Sequence, residues 1–346
     1  MAHPKSAIIR KFIVDHVETH PVDIAKVTAE HFAITRQAVR RHLTILIEDG
    51  VLKAEGEKRK RRYLLSESKY SWVFPLADHR EEDKVWRDYV KPTVEHLPDN
   101  VQTILYYGFT EMFNNVIDHS MGTSAGVTVD VSSRNVRLGI LDDGVGIFEK
   151  IKESLGLEDH RQAILELVKG KFTTDPAHHS GQGIFFTSRI FDSFSIRSNH
   201  LLFAHESGGD DWLIEVDPLQ GYGTVVLMGI EAQSHKQLKD VFDRYSDVED
   251  EEYSFSKTHV PLTLAKYGND QLISRSQAKR VLSRFERFEE VTLDFAGVEE
   301  IGQAFADEIF RVFRRNNPQI RIKHVRANPQ VERMIRRAES TSDASR

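Results

Sequence analysis

From Phe109 to Ile140 the chain switches hydrophobic period, and that switch constrains its fold more than any other feature. Phe109, Met112, Phe113, Val116 and Ile117 recur at three- and four-residue steps, which predicts an amphipathic helix. Val127, Val129 and Val131 then alternate with polar residues. Ser132-Ser133-Arg134-Asn135 turns the chain, and Val136, Leu138 and Ile140 alternate again, which predicts a β-hairpin with one buried face.

The polar face of that helix carries chemistry. Steps of four and seven residues bring Glu111, Asn115 and Asp118 to one side, one above the other. An amide oxygen beside a carboxylate suits a hard cation such as Mg²⁺, which keeps several waters and is shared with substrate phosphates. The remaining carboxylate can orient a water or a hydroxyl. The hairpin delivers Asp142 into Asp142-Asp143-Gly144-Val145-Gly146-Ile147. Two glycines at alternate positions let backbone approach a flat ring or a phosphate, and a fixed carboxylate can accept a hydrogen bond from an exocyclic amine such as that of adenine. Taken alone, such a loop is more often a turn than a site. Further on, Ser180-Gly181-Gln182-Gly183 opens the apolar run Ile184 to Phe191, and helix N-termini attract phosphate. Before it, Lys171 to His179 is polar with few core residues, as a lid over a nucleotide requires. Lys171 reads as a surface lysine, with reach to a phosphate as the alternative.

In this order the segments resemble the GHKL nucleotide-binding fold of gyrase-type ATPases, histidine kinases and anti-sigma-factor serine kinases, over roughly residues 96 to 235. Glu111, Asn115 and Asp118 are similar to its N-box. Asp142, Gly144 and Gly146 match its first glycine box, Ser180, Gly181 and Gly183 its second, and Gly223-Thr224 its closing strand. The resemblance implies an α/β sandwich, a mixed sheet with helices on one face, that binds ATP with Mg²⁺. It implies that Glu111 positions or activates the attacking nucleophile, Asn115 holds Mg²⁺, Asp142 reads the adenine amino group with Thr224 nearby, and Gly181 and Gly183 line the phosphates. Phe185 departs from the pattern, which has a third glycine there. His119 reads as a capping or packing residue, and His178-His179 lacks the second ligand pair that zinc needs. There is no Gly-x-x-x-x-Gly-Lys-Ser/Thr phosphate loop.

Charge divides the chain. The net charge is -6, yet residues 1 to 65 hold thirteen Lys and Arg against eight Asp and Glu. Three helical patterns fit there, Ser6 to about Thr19, Val22 to His31 and Thr35 to Ile47, the last with Thr35 as N-cap. Ala38, Val39, His42, Leu43, Leu46 and Ile47 face inward in that pattern, leaving Arg36, Gln37, Arg40 and Arg41 outward. Residues 51 to 65 read as a two-stranded wing whose tip carries Lys58, Arg59, Lys60 and Arg61. This stretch resembles a winged helix-turn-helix, which implies DNA binding: Arg and Gln reach base edges and the wing neutralises phosphates. The alternative use of such a fold is dimerisation or protein contact.

Trp72 to Leu97 mixes aromatic and charged residues at helical spacing and reads as a connecting or dimerising helix. After the acidic run Ser246 to Glu252, alternating helices and strands from 250 to 346 predict a small α/β unit. Val291 to Glu308 is similar to STAS domains, the anti-sigma-factor antagonist fold, but Gly302, Gln303 and Ala304 stand where that family has its phosphorylatable serine. Docking to a protein partner, or dimerisation, is the role left to it. The expected organisation is therefore α+β and multidomain: 1–66 winged helix, 67–95 connecting helix, 96–235 GHKL-like, 250–346 STAS-like. Cysteine is absent, no apolar stretch reaches the roughly 18 to 20 residues of a membrane helix, and no signal core follows the start. A cytoplasmic protein, without membrane contact and acting as a homodimer, is the expectation.

Overall fold

A computed structural model describes residues 4–57, 60–78, 81–171, 181–247, 254–266 and 271–343. The chain builds three units. In the first, α1 (Pro4–His16), α2 (Ile24–Phe32) and α3 (Arg36–Glu48) are followed by the antiparallel pair β1 (Leu52–Glu55) and β2 (Arg62–Leu65). The Thr35 hydroxyl accepts the Ala38 N–H at 3.2 Å, capping α3. Ile9, Ile13, Ile24, Val39, Leu43 and Leu46 close a core separate from that of the rest of the chain.

The middle unit is a seven-stranded sheet: β3 (Glu67–Pro75), β4 (Ser124–Ser132), β5 (Asn135–Asp142), β6 (Ser193–Ser198), β7 (Leu201–Glu206), β8 (Trp212–Glu215) and β9 (Thr224–Glu231), in the order β3-β4-β5-β9-β6-β7-β8. Val131 pairs with Val136, Val129 with Leu138 and Val127 with Ile140, all buried on one face. Every neighbouring pair is antiparallel, so the expected mixed sheet is corrected. The reason is topological: β5 and β6 run the same way, but β9 inserts between them and pairs antiparallel with both. Helical turns α4 (Glu82–Val85) and α5 (Lys91–Val94), joined by a π segment, lead to α6 (Asp99–His119). Phe109, Met112, Phe113 and Val116 of α6 are buried. Then α7 (Ile147–Leu155), α8 (His160–Lys169) and α9 (Gly183–Ile190) lie between β5 and β6. Residues 67–95 are thus not one connecting helix. Phe74 is buried on β3 and the exposed Val73 beside it is not, a period-two pattern that continues the chain straight from the hairpin into the sheet edge.

After α10 (Leu238–Tyr245), β10 (Ser246–Asp247) occupies the start of the acidic run and pairs antiparallel with β11 (Ser254–Phe255), just past it; 248–253 lie outside the described residues. The third unit has a parallel sheet of β12 (Lys257–Pro261), β13 (Glu290–Asp294) and β14 (Arg321–Val325). It is flanked by α11 (Arg275–Leu282), α12 (Gln303–Asp307) with a π segment and α13 (Arg314–Asn316), and α14 (Pro329–Asp343). Its core is continuous with that of the middle unit, through Phe185, Phe186 and Phe255. No described helix is long and apolar enough to cross a membrane.

Candidate functional site

Asp142, Gly144, Gly146, Gly223 and Thr224 come together at the end of β5. Asp142 is 5% exposed, on the last rung of the sheet opposite Thr224 of β9. Its Oδ1 accepts the Gly144 N–H at 2.9 Å, and the Thr224 hydroxyl and N–H also face the carboxylate. Burial nevertheless dominates and raises the Asp142 pKa above its ordinary 3.8. A buried carboxylate with spare acceptor capacity at a loop end is suited to binding a donor.

The adjacent Asp143 has a different task. Its two oxygens accept the N–H and hydroxyl groups of Thr123 and Ser124 at 2.7 to 3.0 Å. Desolvation raises its pKa, but those four bonds outweigh it and hold the carboxyl below its ordinary value. Asp143 therefore ties the loop to the start of β4. Ser120, just past α6, adds a second tie, its carbonyl accepting the Val145 N–H at 3.0 Å.

The glycines are where side chains cannot fit. A Cβ on Gly144 would fall 2.0 Å from the Ser120 carbonyl oxygen, and one on Gly223 would fall 2.5 Å from Asp142 Oδ1. Gly146 has φ of 91° and is packed between Ser198, Asn199 and the Gly223 carbonyl. Ile147 opens α7 by donating its N–H to Thr224 Oγ1 at 3.0 Å, so Thr224 links the loop, the helix and Asp142.

Glu111, on α6, meets the start of α9. A Cβ on Gly183, the first residue of α9, would fall 1.9 Å from Glu111 Oε2, so a larger residue there would require the carboxylate to move. Tyr107, one turn before Glu111, has its hydroxyl pKa raised by burial and then by the Glu111 charge. Asn115 is half-buried one turn further on, and Asp118 is exposed near the end of α6. Gly181 has φ of 68°. Ser180, like Thr173, Thr174, His178 and His179, lies outside the described residues. Lys171 is not simply a surface lysine: its ammonium donates to the Arg287 carbonyl at 2.6 Å.

In the first unit Arg36, Gln37, Arg40, Arg41, Lys60 and Arg61 are exposed, while Lys58 and Arg59 lie outside the described residues. Lys26, Arg36, Arg40 and Arg61 line a groove of about 640 Å³ between α3 and the hairpin. Tyr63, also in that groove, carries the Arg61 guanidinium 5.5 Å from its ring centre.

Sequence reasoning did not find Tyr107, Ser120 or the anchoring role of Asp143. The doubled Asp142-Asp143 was the available signal, since period-two alternation puts only the first on the buried face of β5. No curated protein matches the chain. Residues 277–332, from α11 into α14, match the family model of a STAS-like domain of unknown function (DUF4325).

Proposed function

We propose that the protein is an ATP-binding, DNA-binding transcriptional regulator, in which Mg-ATP at a GHKL-type middle unit biases the arrangement of a winged-helix unit and a STAS-like unit. One observation carries this reading: a buried Asp142, paired with Thr224, stands beside glycines that leave no room for a side chain. Asp142 accepts the adenine amine, Gly144 and Gly146 admit the base, and the amides that open α9 at Gly181 and Gly183 take phosphate. The donor set fits Mg²⁺: Asn115 contributes an amide oxygen, and this ion draws its other ligands from phosphates and water.

Arg36, Gln37, Arg40 and Arg41 read base edges in a major groove, and Lys60 and Arg61 meet phosphates. A homodimer supplies two half-sites, and the C-terminal unit offers a face to a protein partner. ATP alters DNA affinity only if it prefers one arrangement of the units. With the full chain and a pool of DNA duplexes, Mg-ATP is expected to shift the Kd by about fivefold or more. Arg40→Ala is expected to weaken binding and reduce the salt slope by about 1. An identical Kd with and without Mg-ATP sinks the regulatory reading.

Glu111 against the start of α9 favours a second reading, a slow ATPase or a serine/threonine kinase of the anti-sigma type with Glu111 as base. The STAS-like loop at Gly302-Gln303-Ala304 offers no hydroxyl, so a phosphoswitch at that position is absent. Glu111→Ala is then expected to abolish release or transfer of the γ-phosphate while ATP still binds. Unchanged phosphate release in that variant removes the base assignment.

A further inference from the structure

Phe185 occupies the position where the glycine-box resemblance has a third glycine, and the structure supplies a reason. Its ring is buried against Phe255, centroids 4.6 Å apart, on the strand that leads into the C-terminal unit. Phe255 also packs on Phe186 at 5.1 Å and on Gly170, where an added Cβ would fall 2.7 Å from the ring. The first turn of α9 thus rests on a C-terminal residue.

The end of α8 is held by the same unit. Glu166 Oε1 accepts from Lys169 at 2.7 Å and its Oε2 from Arg284 at 3.2 Å; Lys169 also donates to the Ser283 and Arg280 carbonyls at 2.9 and 3.2 Å. The Lys171 carbonyl accepts from Arg284 and, at 3.0 Å, from Arg287. The Lys171 ammonium lies 4.9 Å from the Phe288 ring centre. Ala163 to Lys169 are buried at every position, so α8 is enclosed by both units rather than lying on a surface.

We infer that Arg284 and Phe255 are positioning residues of the nucleotide site: they hold the end of α8 and the start of α9 so that Gly183 stands against Glu111. This rests on the ATP reading above. Helix starts that bind phosphate do so with higher affinity when already fixed, because less ordering is left to occur on binding. Linkage then makes the effect reciprocal: nucleotide tightens the docking of the C-terminal unit by the same factor.

The test titrates a fluorescent, non-hydrolysable ATP analogue with Mg²⁺ into the full chain, as wild type, Arg284→Ala and Phe255→Leu. Amide exchange is followed in residues 257–261 and 285–294. The expected result is a Kd raised about fivefold or more in both variants, with nucleotide slowing exchange in those segments of the wild type but not in Arg284→Ala. A purely structural role for Arg284 would not produce that nucleotide-dependent protection. If Arg284→Ala does not purify folded, Arg287→Ala, at an exposed position, repeats the comparison. Wild-type binding with equal Kd in the folded variants overturns the positioning role alone. No binding by the wild type overturns the nucleotide reading, and this inference with it.

Discussion

Asp142→Asn is expected to raise the Kd for Mg-ATP about 100-fold or more. The loss follows from donor and acceptor accounting. Asp142 Oδ1 is occupied by the Gly144 N–H, and the Thr224 groups also point at the carboxylate, so an incoming amine needs the remaining acceptor capacity. An asparagine has one oxygen. It either turns its NH₂ toward the amine or toward Gly144, and each choice sets donor against donor in a buried place. Losing a charge-assisted bond and leaving a polar group unpaired cost about 1.5 to 3 and about 1 to 3 kcal/mol, which together reach the hundredfold range. Burial raises the Asp142 pKa above 3.8 in the folded chain. The folded chain then takes up this proton more readily than the unfolded chain. The corresponding stabilisation is complete below pH 3.8 and is lost as pH rises through the folded value. Nucleotide affinity of the wild type should accordingly fall as pH drops through a pKa above 3.8. Calorimetric titration at several pH values, with thermal unfolding of both proteins, measures all of this. A Kd unchanged by the substitution would rule out Asp142 as the reader of the base.

What the sequence made legible follows period and local chemistry. The Val127-Val129-Val131 hairpin was readable because one buried face forces alternation, and Thr35 because an N-cap bonds within its own helix. Residues 67 to 95 were not, because two periods run back to back: Phe74 belongs to a strand and Trp86, Val90 and Val94 to helical turns, so the whole stretch imitates one helix. The expected mixed sheet failed for a related reason, since the position of β9 between β5 and β6 leaves no local trace. Of the candidate site, Asp142, Gly144 and Gly183 stood out by residue type and spacing, while the contacts each makes did not. Phe185 was visible only as a departure, its cause being Phe255 far along the chain. Glu166 and Lys169 stand three residues apart, a spacing that solvated helix faces also show, and the residues that bury them come from another unit.

That buried pair sets the largest expected loss of stability. Glu166→Ala is expected to destabilise the junction between the middle and C-terminal units by about 3 to 5 kcal/mol, the range for removing one partner of a buried ion pair. The Lys169 and Glu166 side chains are 1% and 4% exposed and Arg284 is 12% exposed, so the substitution leaves two cations enclosed without their carboxylate. An exposed pair at the same junction gives the scale: Arg326 and Asp210 meet at 2.6 Å but are 49% and 65% exposed, and Asp210→Ala should cost no more than about 1 kcal/mol. Burial lowers the Lys169 pKa from 10.5, with Glu166 opposing that shift. A lysine depressed in the folded state contributes stability that is complete above pH 10.5 and is lost as pH falls through the folded value. Removing Glu166 deepens the depression, so the deficit of Glu166→Ala should be largest at neutral pH and shrink as alkaline conditions discharge Lys169. Thermal and urea unfolding of the wild type, Glu166→Ala and Asp210→Ala at neutral pH and again approaching pH 10.5 separates these terms. A Glu166→Ala deficit as small as that of Asp210→Ala, or one that grows with pH, would mean that the triad does not hold the two units together.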